Sequence, residues 1–100
     1  MSSETTTEPS YNLPSNTTLM HSSKIAIVED KPVMFDYWTA SCDGSALIGV
    51  RESGEKLLVK SEDEYTSPIA KIYKVETEYI IVTENSIYLA NANIPTRRIS

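Results

Sequence analysis

The chain is short of the residues from which most sites are built. Its 100 residues include one cysteine, one histidine, three glycines, one tryptophan and one phenylalanine. With Cys42 alone there is no internal disulfide, and a cytoplasmic or otherwise intracellular setting is expected. One Cys and one His are too few ligands for a structural zinc, so no metal is expected. A cysteine nucleophile needs a base, and the only histidine, His21, is far along the chain from Cys42. Gly44, Gly49 and Gly54 are not grouped in a nucleotide-binding spacing, which removes a phosphate cradle. No apolar run approaches the roughly 18 residues of a transmembrane helix. The start, MSSETTTEPS, has neither the basic nor the apolar segment of a secretory signal, and its acidity and lack of arginine oppose a mitochondrial transit peptide. On the same ground the glycosylation triplet at Asn16-Thr17-Thr18 is a chance match.

What is present is ordinary in amount and uneven in placement. Apolar residues make up 40% and charged residues 23%, with a formal charge of −5 and a pI near 4.8. Glu4 and Glu8 lie in the leader, which leaves −3 from Lys24 onward. An acidic domain is repelled by phosphate backbones and anionic lipid heads, so membrane is excluded and nucleic acid is disfavoured. Residues 1–23 are rich in Ser and Thr and interrupted by Pro9 and Pro14, and are expected to form a disordered leader. The remaining core is small and supplies only a few kcal/mol net. Such a core must be tidily packed or be helped by a partner, a second copy included.

The strongest element is 78–90, EYIIVTENSIYLA, read as two strands about a tight turn at 83–86. Asn85 is the residue suited to a positive φ at its apex. Three successive apolar residues at 80–82 mark the first strand as an inner one. Before it, Lys24 to Val28 reads as an opening strand and 29–32 as a turn fixed by Pro32. Val33 to Thr39 reads as a strand with Phe35 in the core and Trp38 on the half-exposed face beside Asp36. Ala46 to Arg51 and Lys56 to Lys60 form a hairpin closed at Gly54, with Gly49 marking a bulge or close backbone contact. Residues 61–68 are an acidic loop. Ile69 to Val75 is a further strand, and 93–100 is a polar tail that Ile94 and Ile99 can pin to the body. The expected fold is thus all-β: a small antiparallel barrel or sandwich of six or seven short strands. The size is SH3-like or Sm-like, although no residue motif of either family is present. The domain spans residues 24–92.

No constellation carries catalysis. Asp43 beside Cys42 disfavours the thiolate, and Glu62-Asp63-Glu64 is a solvated charge run without the glycine punctuation of a calcium loop. Asp36 would have a raised pKa only if buried among its large neighbours. The expectation is a non-enzyme without a cofactor or small-molecule substrate. Its role would be a protein-interaction or structural module that binds a protein partner or self-assembles through a strand edge or aromatic face. Trp38, Tyr65 and Tyr88 are the candidate contacts, because Trp and Tyr bury much area at small entropic cost. The alternative is a small-barrel nucleic-acid binder using Lys56, Lys60, Lys71 and Lys74, extended by Arg97 and Arg98. Against it, lysines on strands commonly guard edges.

Overall fold

A computed structural model describes residues 13–99. The part of the leader reading that falls on residues 1–12 lies outside the described residues. The fold is mostly β. Two four-stranded mixed sheets and two short helices follow in the order α1 (Asn16–Glu29), β1 (Val33–Met34), α2 (Trp38–Asp43), β2 (Leu47–Val50), β3 (Lys56–Ser61), β4 (Glu64–Tyr65), β5 (Ile69–Val75), β6 (Glu78–Thr83), β7 (Ile87–Asn91) and β8 (Thr96–Arg98). The first sheet has the order β1-β7-β6-β5 and the second β4-β3-β2-β8. They do not close into a barrel. The pairs β2–β3, β3–β4, β5–β6 and β6–β7 are antiparallel, whereas β1 joins β7 and β8 joins β2 in parallel.

The first correction is α1, which replaces both the opening strand at 24–28 and the irregular reading of 16–23. Ser15 caps it, its hydroxyl accepting from the Thr18 N–H at 3.1 Å, and Asp30 ends it in the left-handed region at φ 56°. The helix buries Thr18 and Ser22 and leaves Ile27 and Val28 each 81% exposed. Its apolar residues therefore do not mark its buried face, and KIAIV imitates a strand. The buried hydroxyls are satisfied locally: Ser22 donates to the Leu19 carbonyl at 2.8 Å. At the N-terminal end the buried Glu78 carboxylate accepts from the Ser15 N–H at 3.0 Å, where the peptide dipoles favour negative charge.

The second correction concerns 33–39. Only Val33 and Met34 are extended; the chain then turns, and Trp38 opens α2. The turn reverses the expected burial, with Phe35 53% exposed and Trp38 5%. The Ser41 hydroxyl fixes α2 to the sheet by donating to the Trp38 carbonyl at 2.6 Å and accepting from the Asn91 N–H at 2.9 Å.

As expected, β6 is an inner strand, and Ile80, Ile81 and Val82 are almost wholly buried. Their alternation feeds two apolar clusters. Ile80 and Val82 join Ile87, Leu89 and Trp38 on the side where Leu19 and Ile25 of α1 pack. Ile81 and Ala90 join Ile48 and Leu58 of the second sheet, with Tyr37 and Ile94. Each buried Ile, Leu or Val among them contributes about 1.5–3 kcal/mol by leaving water.

The β6–β7 turn closes differently from expectation. Among the described residues only Asp30 and Glu76 combine a side chain with positive φ, so Asn85 is not the pivot. Instead the Thr83 hydroxyl accepts from the N–H groups of Asn85 and Ser86, and the left-handed Glu76 serves the β5–β6 turn. At Gly49 the register is unbroken and the close neighbour is a side chain: a Cβ there would stand 2.7 Å from Ile99 Cδ1. The acidic loop gains the two-residue strand β4 and the tail gains β8. The boundary expected between residues 23 and 24 falls inside α1.

Candidate functional site

Of the four strands that end a sheet, β1 and β4 have two residues each, β8 three and β5 seven. A short end strand offers a partner little backbone, and β5 offers a full strand's worth. Its sequence, IAKIYKV, sets Ile72 and Tyr73 between two lysines, and it pairs along one side only, from Val75↔Glu78 to Ile69↔Thr83. Among the described residues no strand pairs with its other side. The register shifts between Ile69 and Lys71, so Ala70 is an extra residue that bends the start of the strand. A cleft of about 380 Å3 separates this start from the turn at 54–56.

The side chains of β5 are more exposed than those of any other long strand. Ile72 is 36% and Tyr73 39% exposed. Ile72 stands opposite Ile81, on the face toward the second sheet; Tyr73 stands opposite Ile80, on the face that α1 covers. Lys71 shares the Tyr73 face and is held at 3.3 Å by the Glu29 carboxylate at the end of α1. That carboxylate, as hydrogen-bond acceptor and as charge, raises the Lys71 pKa. The strand thus presents ordered backbone donors and acceptors, two apolar side chains and two cations.

The expected contact residues do not converge there. Trp38 is in the core and offers no aromatic face. Tyr88 is half-buried, with its ring edge-on to Tyr37 at 5.3 Å between centroids. Tyr65 is exposed on β4, with the Arg51 guanidinium 5.9 Å from its ring centre. It borders a hollow of about 630 Å3 on the second sheet, lined by Leu47, Leu57, Val59 and Ile99.

The four lysines are spread over two sheets. Lys60 reaches 4.9 Å over the Tyr37 ring and donates to the Asp36 carbonyl, and Lys56 starts β3. Lys71 and Lys74 point to opposite faces of β5. Arg97 and Arg98 lie on β8 beside Gly49 and Val50. Asp36 is exposed rather than enclosed.

Cys42 packs half-buried against the Trp38 cluster. Burial pushes its thiol up, the charges of Glu78 and Asp43 add to this, and Ser41 partly offsets it by hydrogen bonding. Those influences oppose a nucleophilic thiolate. Among the described residues no three His, Cys, Asp or Glu side chains gather as a metal would need. No helix among them is long and apolar enough to cross a membrane.

The readable signal for this site was the pair Lys71 and Lys74 flanking Ile72 and Tyr73, the pattern of a guarded edge. Which of seven expected strands would lie at an edge was not readable. Comparison with protein-family models, curated proteins and solved structures finds no match to this chain.

Proposed function

We propose that this chain is a non-catalytic interaction module whose β5 accepts an added strand from a polypeptide partner. The carrying observation is the seven-residue edge strand, unpaired along one side and half-exposed at Ile72 and Tyr73. Strand addition draws affinity from main-chain hydrogen bonds and selectivity from alternate side chains. Here Ile72 would select an apolar neighbour on one face, and Tyr73 with Lys71 an aromatic or acidic one on the other. The core cluster that joins Ile48 and Leu58 to Ile81 and Ala90 supports reading the two sheets as a small sandwich. An intracellular setting belongs to the same proposal, supported by the lone Cys42.

A peptide display library selected in parallel on the wild-type protein and on a Tyr73→Lys form tests the proposal. Extended segments with alternating apolar residues should be enriched on the first and lost on the second. Equal enrichment on both removes the β5 edge as the site, and so does enrichment on neither when the protein selected on is monomeric.

A further inference from the structure

The edge of β5 is self-complementary in one register, and we infer that its partner is a second copy of this chain, paired antiparallel about Ile72. The inference rests on the strand-addition reading and names its occupant.

A twofold axis perpendicular to a sheet keeps each face of one strand continuous with the same face of the other. Opposed residues must then lie on the same face, so the axis passes through a residue rather than between two. Between the extra residue at Ala70 and the turn after Val75, four centres are available: Lys71, Ile72, Tyr73 and Lys74. Centring on Lys71 or on Lys74 sets two ammonium groups directly opposite each other, which is unfavourable. Centring on Tyr73 sets Ile72 opposite Lys74 twice, placing a charge against each exposed apolar residue.

Centring on Ile72 avoids both faults. Ile72 meets its own copy, Lys71 meets Tyr73 and Ala70 meets Lys74, with no like charges opposed. The Lys71–Tyr73 pairs, formed twice, bring a cation beside an aromatic ring. Glu29 already orders Lys71 at 3.3 Å, on the face that Tyr73 shares. The result would be one continuous eight-stranded sheet, β1-β7-β6-β5 followed by its mirror order.

Sedimentation velocity and oxidative cross-linking of the full chain test this. The wild-type mass should rise toward that of a dimer with concentration, and Ile72→Lys should move the midpoint up by about tenfold. In a Cys42→Ala background, Ile72→Cys should form a disulfide dimer, because opposed Cα atoms in such a pair lie about 4.5–5.5 Å apart. Tyr73→Cys and Lys74→Cys should not, since their copies would be offset along the strands beyond the reach of a disulfide, about 7 Å. A wild-type protein that stays monomeric overturns the second-copy assignment. So does a dimer that cross-links through Tyr73→Cys or is indifferent to Ile72→Lys. Peptides selected on β5 by a monomeric protein would leave strand addition standing with another partner; absence of both results would remove both.

Discussion

Gly49 and Ile99 supply the sharpest test of how the second sheet is assembled. Gly49 lies in the middle of β2, where β3 and β8 flank it on either side. A Cβ at this position would stand 2.7 Å from Ile99 Cδ1, 3.1 Å from Ile99 Cγ2 and 3.1 Å from Val59 Cγ2. Carbon atoms attract best at about 3.5–4.0 Å, so all three contacts are repulsive. Alanine in a strand interior gains about 0.5–1 kcal/mol over glycine through the unfolded chain. Overpacking costs about 1–3 kcal/mol. Gly49→Ala should therefore lose about 0.5–2 kcal/mol net, with Ile99 displaced. Ile99→Ala removes the shortest contact and one of the other two. In that background Gly49→Ala should be neutral or slightly stabilising, a coupling of about 1–2 kcal/mol and within the range known for touching residues. Urea unfolding of the four proteins, compared by midpoint at constant slope, measures the coupling. Equal effects of Gly49→Ala in both backgrounds would show that Ile99 does not lie over Gly49, and the β2–β8 pairing would fall with it.

Ser15→Ala removes the α1 cap and should cost about 1 kcal/mol, with a matching loss of helical ellipticity; unchanged stability would deny the cap. Trp38→Ala should cost about 3–5 kcal/mol in chemical denaturation, whereas Ile27→Ala should stay within about 0.5 kcal/mol, and the reverse order would invalidate the burial pattern. The Tyr37 phenol is pushed up to about 12, by burial first and then by the charges of Asp36, Tyr88 and Glu64. Because the folded state holds that proton more tightly than the unfolded chain, stability should fall as pH rises from about 10 to about 12. Phenolate absorbance should report Tyr37 among the last tyrosines to ionise, and its loss should accompany Tyr37→Phe.

The strands at 47–50, 56–61, 69–75, 78–83 and 87–91 were legible because β-branched and aromatic side chains recur between turn residues. The helix at 16–29 was not, for an identifiable reason. Its buried positions are Thr18 and Ser22, whose hydroxyls are satisfied locally, and its most exposed large apolar ones are Ile27 and Val28. A hydrophobic pattern misreports such a helix. Trp38 and Phe35 exchanged places because the chain turns between them, and neither α2 nor the two-residue β1 has a period long enough to declare itself. The parallel pairings of β1 with β7 and β2 with β8 join segments far apart in sequence, which local pattern does not encode. For the same reason 69–75 could be read as a strand while its edge position could not.

If β5 accepts one partner, as proposed, it must still refuse disordered pairing, and it carries two features suited to that. The extra residue at Ala70 bends its start, and Lys71 and Lys74 occupy opposite faces, so neither face is purely apolar. The lysines act by opposition. Each wrong register that sets like charges side by side loses about 0.2–1 kcal/mol per pair, which repeated stacking would multiply. Replacing both by threonine keeps the strand propensity and deletes the penalty. The double variant Lys71→Thr, Lys74→Thr should therefore lose register control rather than fold. Its unfolding midpoint should change little, while oxidative cross-linking of single-cysteine forms in a Cys42→Ala background should join copies in registers other than the one centred on Ile72. Restoring Lys71 alone should recover part of the limit, since it excludes the register centred on itself. If the double variant cross-links in the same single register as the wild type, the lysines do not guard this edge.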